Sequence, residues 1–275
     1  MDSRLHENDR YCNAFSSGSG NSGTDNPHEE PGTGRISTLA SKYHERNVSV
    51  VFPLLVKAVT IDLDGTLLDT IPDLAAAANL MLRELERPPL DEGLVRTFVG
   101  KGIQNLVERV VAAAFNGAAD AGLMQHALTV YQRCYASVNG RHTTIYPGVV
   151  EGLDALRAAG LPLACVTNKS ARFTLPLLDQ VQLASYFAEV VAGDTLPRKK
   201  PDPLPLLHVC GKLGVAPRDM LMIGDSVNDA QAARAAGCPV FCVTYGYNEG
   251  HDVRELDVDA IVASLIEATR LIQKA

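Results

Sequence analysis

From about Leu55 onward the chain alternates short, wholly apolar runs with stretches in which apolar residues recur every three or four positions. The first pattern marks strands and the second marks helices with one apolar face. Strands are expected at Val56–Leu63, Leu161–Thr167, Glu189–Ala192, Met220–Gly224, Val240–Val243 and Ala260–Val262. Helices are expected between them, at Val149–Ala159, Ala171–Val181, Leu204–Leu213, Asn228–Ala236 and Ser264–Lys274. Pro176 interrupts the second of these, because proline has no N–H and crowds the preceding turn. Strands apolar on both faces and separated by helices predict a mostly parallel sheet covered on both sides.

One interval breaks the alternation. Pro72 to Asn139 carries only helical patterning, with Pro72 suited to a first helical position and apolar residues at 74, 78, 81, 82 and 85. Further helices are expected near Gln104–Phe115 and Gly122–Val138. Such a segment is too long for a crossover and predicts a second, all-helical unit inserted after the first strand. The expected organisation is an α/β, Rossmann-like three-layer core over residues 55–69 and 148–275, with a helical cap domain over residues 70–147. Both ends of the insertion return to the end of strand one. That places the cap over the carboxyl edge of the sheet, where ligands bind in open α/β folds.

The first fifty residues differ. Between Tyr11 and Gly34, Gly, Ser, Asn and Pro occupy 14 of 24 positions, with no period of either kind. A segment this poor in apolar residues cannot offset its ordering entropy, so residues 1–50 are expected to be a disordered tail. The tail lacks the basic start and apolar stretch of a secretory leader. With seven acidic against five basic residues, it is also too acidic for a transit peptide.

Composition narrows the function classes. The 275 residues are 46% hydrophobic and 21% charged, an ordinary globular balance. The apolar run Val48–Val56 is broken by Pro53 and ends at Lys57, far short of the roughly 20 residues that span a bilayer. A net charge of −7 argues against a general nucleic-acid binder, yet permits a locally positive pocket for a small anion. Six cysteines form no C-x-x-C pair or zinc spacing, and the expected setting is the reducing cytoplasm.

Chemistry concentrates at strand ends. Strand one runs into Asp62-Leu63-Asp64-Gly65-Thr66-Leu67-Leu68-Asp69. Alternation in a strand turns Asp62 and Asp64 the same way, and two adjacent acids need a cation or a shared proton to coexist. Strand two ends in Val166-Thr167-Asn168-Lys169, where Thr167 could equally serve as a helix cap. Lys199-Lys200-Pro201-Asp202-Pro203 follows, and a fourth strand runs into Gly224-Asp225-Ser226-Val227-Asn228-Asp229. Ser226 and Asp229 have the spacing of a helix-start capping pattern.

D-x-D-G-T-L-x-D, followed in order by these three strand-end motifs, resembles the haloacid dehalogenase superfamily over roughly residues 55–270. The resemblance implies a phosphatase in which Asp62 is the nucleophile that forms an aspartyl-phosphate. Asp64 is implied as general acid and base. The Thr167 hydroxyl and the following backbone N–H, that of Asn168, would hold the phosphoryl group, and Lys200 would neutralise it and the nucleophile. Mg²⁺ is the implied cofactor, on Asp62, the Asp64 carbonyl and Asp225, with Asp229 either a metal-shell residue or a cap. The haloacid dehalogenases proper lack the second acid of the first motif, and the transport ATPases carry Thr there, so Asp64 favours phosphoester hydrolysis.

A helical cap after the first motif resembles the subclass that handles small phosphometabolites. Within it, Thr66–Leu74, Phe98–Gly102, Pro176–Leu178 and Val243–Asn248 resemble the bacterial phosphatases of 2-phosphoglycolate. The implied reaction gives glycolate and phosphate. A phosphatase or mutase of another small ester, such as a sugar phosphate, is the alternative. Gly100-Lys101-Gly102 reads as a cap loop near the active site, in which Lys101, or less favourably Arg96, could pair with a substrate carboxylate if it is not simply a surface charge. The expected partner is a small phosphometabolite, with no nucleic acid and no membrane, and the expected assembly is a monomer or homodimer.

Overall fold

The computed structural model describes residues 51–117 and 119–275. The tail expected over residues 1–50, with Cys12, lies outside them. The described elements are, in chain order, β1 (Leu54–Val56), β2 (Ala58–Ile61), β3 (Leu68–Asp69), α1 (Ile71–Glu84), α2 (Glu92–Arg96), α3 (Ile103–Phe115) and α4 (Ala121–Val138). They continue with β4 (Thr144–Ile145), α5 (Val149–Ala158), β5 (Leu163–Val166), α6 (Ala171–Gln180), β6 (Glu189–Val191) and α7 (Leu204–Leu213). The last are β7 (Met220–Gly224), α8 (Val227–Ala236), β8 (Val240–Val243), β9 (Ala260–Val262), α9 (Leu265–Arg270) and β10 (Ile272–Lys274).

Six strands form one parallel sheet in the order β6-β5-β2-β7-β8-β9. Strands β2, β5, β7 and β8 are buried along their whole length, as a sheet covered on both faces requires. Alternate side chains feed two separate cores. Val59, Ile61, Cys165, Leu221, Ile223 and Phe241 pack with Leu153, Leu177 and Leu265 of α5, α6 and α9. Ala58, Ala164, Val166, Met220 and Met222 pack with Leu206 and Val209 of α7 and Ala232 and Ala233 of α8. After β6 the chain crosses to the other side of β2, so the carboxyl ends of β5, β2 and β7 meet at the point where the strand order reverses.

Helices α1–α4 lie between the antiparallel pair β3 and β4 and bury an apolar cluster of their own. Two residues from outside the cap, Phe173 and Tyr247, join that cluster. No helix of the described residues is long and apolar enough to cross a membrane.

Three local differences from the expected elements have physical reasons. The first strand breaks at Lys57, whose N–H donates to the Asp219 carbonyl at 2.7 Å and whose ammonium meets the Asp219 carboxylate at 2.8 Å. The helix expected to run to Lys274 stops at Arg270, because Ile272–Lys274 pairs in parallel with β1 instead. Helix α2 was not apparent from apolar spacing, yet Asp91 caps it by accepting from the N–H groups of Gly93 and Leu94 at 2.8 and 3.3 Å. Pro176 is accommodated within α6 on an exposed face, where water can reach the carbonyl it leaves unpaired.

Candidate active site

The ends of β2, β5 and β7 form the floor of a cleft, and the cap forms its roof. Asp62 continues the β2 ladder, its N–H donating to the Ile223 carbonyl at 2.9 Å, and its carboxylate is buried. The backbone then turns at Gly65, at φ +90°, where a Cβ would overlap the Asp225 carboxylate. Gly246 meets Asp225 from the other side with the same restriction, so two glycines let backbone close around this acid. Asp225 accepts from the Tyr247 N–H at 2.6 Å and from the Thr66 hydroxyl at 3.3 Å.

Lys200 is the charge centre of the floor. Its Nζ lies 2.7 Å from Asp62 Oδ1, 2.7 Å from Asp229 Oδ1 and 2.6 Å from the Val166 carbonyl, and the side chain is only 2% exposed. These three acceptors match the three donors of an ammonium. Burial opposes its charge, but Asp229 and Asp62 hold the ammonium above its ordinary value. Asp229 also reaches back across the start of α8 to accept from the Ser226 N–H at 3.1 Å and the Ser226 hydroxyl at 2.7 Å. The capping role and the link to the charge centre therefore belong to one carboxylate.

Asp62, Asp225 and Asp229 each bring a carboxylate oxygen within 4.8 Å of the others. Of these three buried acids, Asp62 and Asp229 meet the Lys200 ammonium and Asp225 does not. Burial pushes Asp62 well up, with Lys200 pulling it down and Asp229 and Asp225 adding repulsion. Burial, followed by repulsion from Asp229, raises Asp225 to about 7. Asp229 has both oxygens engaged, whereas Asp62 Oδ2 accepts no hydrogen bond among the described residues. A set of hard, crowded, incompletely neutralised oxygens suits a divalent cation.

The second acid of the strand-end pair, Asp64, stands outside that cluster. Its Oδ1 accepts from the Thr70 hydroxyl at 2.8 Å and from Lys169 Nζ at 3.0 Å. Lys169 is buried and donates in turn to the Tyr135 hydroxyl of α4 at 2.5 Å, lying 4.9 Å from the centre of that ring. Tyr135 is held between Tyr131 and Phe173, at centroid distances of 5.8 and 4.8 Å. Sequence reasoning did not single out Lys169 or Tyr135. The only signal for Lys169 was its place directly after Thr167-Asn168 at a strand end, and Tyr135 looked like any apolar-face residue of its helix.

The remaining predicted residues divide. Thr167 lines the cleft, its Oγ1 accepting the Lys169 N–H at 3.2 Å. Asn168 also lines it, and its side-chain amide, distinct from the backbone N–H expected to meet the phosphoryl group, donates to the carbonyls of Gly100 at 3.0 Å and Lys200 at 2.9 Å. Lys101 does not face the cleft. Its ammonium pairs with Glu249 at 2.7 Å, half exposed, and Glu249 also receives Arg109 of α3 at 3.0 Å. Arg96 donates to the carbonyls of Tyr245 and Gly246 at 3.1 and 3.0 Å and lies over the Tyr247 ring.

Comparison with known proteins agrees with this architecture. Residues 56–237 match the model of a hydrolase family, the haloacid dehalogenase-like hydrolases. A phosphoglycolate phosphatase of Nitrosospira multiformis is 59% identical over 224 residues, covering 82% of this chain and 99% of the relative. One from Thiobacillus denitrificans is 54% identical over the same coverage. The crystal structure of a predicted phosphoglycolate phosphatase from Haemophilus somnus superposes with a TM-score of 0.74 at 35% identity, covering 77% of this chain and 96% of that one. The chain belongs to the haloacid dehalogenase-like hydrolases.

Proposed function

We propose that this protein is a Mg²⁺-dependent phosphatase that hydrolyses 2-phosphoglycolate to glycolate and phosphate. The observation that carries the chemistry is the asymmetry of the two acids. Asp62 is pinned by Lys200 through one oxygen and keeps the other free, while Asp64 is held apart from it by Thr70 and Lys169. The substrate follows from the relatives named phosphoglycolate phosphatase, one of which is matched over 99% of its length.

In this reading Asp62 attacks phosphorus with its free oxygen, forming an aspartyl-phosphate and expelling the alkoxide. Asp64 protonates the leaving oxygen and then takes a proton from the water that hydrolyses the intermediate. Lys200 pulls the Asp62 carboxyl down against the upward push of burial and offsets charge on the phosphoryl oxygens. Thr167 turns its hydroxyl proton to a phosphoryl oxygen, since the oxygen itself already accepts from Lys169. Asp62 and Asp225, with the Asp64 carbonyl, would hold Mg²⁺, which would supply positive charge to offset that of the phosphoryl oxygens. Asn168 supports the site by tying the cap loop to the Lys200 loop. A reducing, cytoplasmic setting is supported by the five described cysteines, all free and four of them buried.

The test is phosphate release with and without Mg²⁺ from 2-phosphoglycolate, sugar phosphates, nucleotides and pyrophosphate. The expected preference is for 2-phosphoglycolate, and Asp62→Asn is expected to lower its turnover by about a thousandfold or more. Retained turnover in that variant would remove Asp62 from the nucleophile role. A faster reaction with a sugar phosphate would overturn the substrate.

A further inference from the structure

Among the described residues, two cations line the cleft, Lys169 and Lys200. Lys200 has no donor to offer a second anionic group, because Asp62, Asp229 and the Val166 carbonyl take all three. The cations around the rim are engaged elsewhere. Lys101 and Arg109 meet on Glu249, Arg96 holds two carbonyls of the loop after β8, and Lys199 donates to the Lys101 carbonyl at 2.7 Å. Lys169 is the other cation of the cleft lining, on the side of the leaving-group acid. Its side chain is 3% exposed, and its Nζ reaches both oxygens of one carboxylate, Asp64, at 3.0 and 3.3 Å, and the Tyr135 hydroxyl at 2.5 Å.

Its position relative to the reacting groups is equally specific. Asp64, the acid assigned to the leaving oxygen, lies 3.0 Å from Lys169 Nζ. A substrate group that reaches Lys169 must therefore sit close to the ester oxygen. The cap side of the cleft beyond it is apolar, formed by Leu74, Val99, Ile103 and Leu106. Those walls offer a longer polar substrate no partner and would desolvate its hydroxyls at a cost.

We propose that Lys169, oriented by Tyr135 of the cap, is the specificity residue that binds a carboxylate placed one carbon from the ester oxygen. It thereby selects phosphate esters of small 2-hydroxy acids over uncharged esters of the same size. The inference rests on the phosphatase reading above and assigns to Lys169 the carboxylate contact that sequence alone offered to Lys101. Tyr135, wedged between Tyr131 and Phe173, couples this contact to the cap's own core.

The test compares 2-phosphoglycolate with its neutral isostere 2-phosphoglycolamide. In the wild-type enzyme kcat/KM is expected to favour the acid by about tenfold or more, the scale of one charge-assisted hydrogen bond. In Lys169→Met both rates fall, because Asp64 loses a partner, but the acid-to-amide ratio collapses toward unity. Lys169→Arg should keep most of the ratio. Lys169→Gln, which retains a polar end beside Asp64 and Tyr135, gives the same readout if the Met variant does not fold. An unchanged ratio in the Met or Gln variant, or a wild-type enzyme indifferent to the acid, overturns the inference while leaving the phosphatase chemistry intact. Faster turnover of another carboxylated ester, with the ratio still dependent on Lys169, overturns 2-phosphoglycolate as the substrate and upholds the inference.

Discussion

Lys200 joins Asp62 at the end of β2 to Asp229 in the first turn of α8, and its removal tests how much of the fold depends on that pairing. Lys200→Met would leave Asp62 and Asp229 buried without a counter-charge, a loss on the order of 3–5 kcal/mol. Urea unfolding should show this as a lower midpoint at unchanged slope, together with loss of turnover. At this scale the sequence was informative where chemistry is local. Asp62 and Asp64 are two positions apart on one strand, so spacing brought them to notice, whereas Asp225, directly after an apolar strand, was marked by the family resemblance of its motif. Lys169 was not legible as a site residue, because its carboxylate partner lies 105 positions away and its phenol partner 34. No local pattern encodes a contact between a strand end and the fourth helix of an insertion.

Elements decide how the cap meets the core. The loop from Val99 to Gly102 is fastened at several points: Asn168 to the Gly100 carbonyl, Lys199 to the Lys101 carbonyl, and Lys101 with Arg109 to Glu249. Glu249 sits in a left-handed turn at φ +52°, after Asn248 at φ +37°, so the receiving loop is itself tightly bent. Glu249→Ala frees two cationic side chains of the cap without touching the cleft lining. We expect KM to rise about three- to tenfold as closure weakens, with stability changed by less than about 1 kcal/mol because Lys101 is half exposed. Steady-state kinetics beside a thermal melt separates the two effects. The elements themselves were largely visible as patterns. The exceptions were α2, too short to show a period, the short strands β3 and β4, and the pair β1 and β10, each a strand only because the other lies beside it.

For the whole molecule, the charge balance of the cleft links metal, proton and stability. Asp225 is raised to about 7, so the metal-free fold gains from a proton there. That gain is fully present below the ordinary carboxylate range and is lost as pH rises through about 7. A divalent cation replaces the proton, and the two compete. The increase in Tm on adding Mg²⁺ should therefore be larger at about pH 8 than at about pH 5.5. Equal increases at both values would place the ion away from Asp225. The second molecular expectation concerns residues 1–50. The Nitrosospira multiformis relative is matched over 99% of its length by 82% of this chain. Deleting residues 1–50 is accordingly expected to leave kcat/KM unchanged, and a large drop would assign that segment a part in catalysis.

Periodicity along the chain was enough to determine an α/β core with a helical insertion, because burial on two faces of a sheet or one face of a helix writes itself into local spacing. The Asp62 and Asp64 pair was legible for the same reason, and Asp225 through the resemblance of its motif. Tertiary structure alone decided which charges share a cleft. It turned Lys101 outward to Glu249, engaged the Asn168 amide between two loops, and set Lys169 between Asp64 and Tyr135. Those outcomes depend on how the cap packs over the reversal point of the sheet. A side chain's electrostatic partners are chosen by distance in space, and distance in space is not a local property of the sequence.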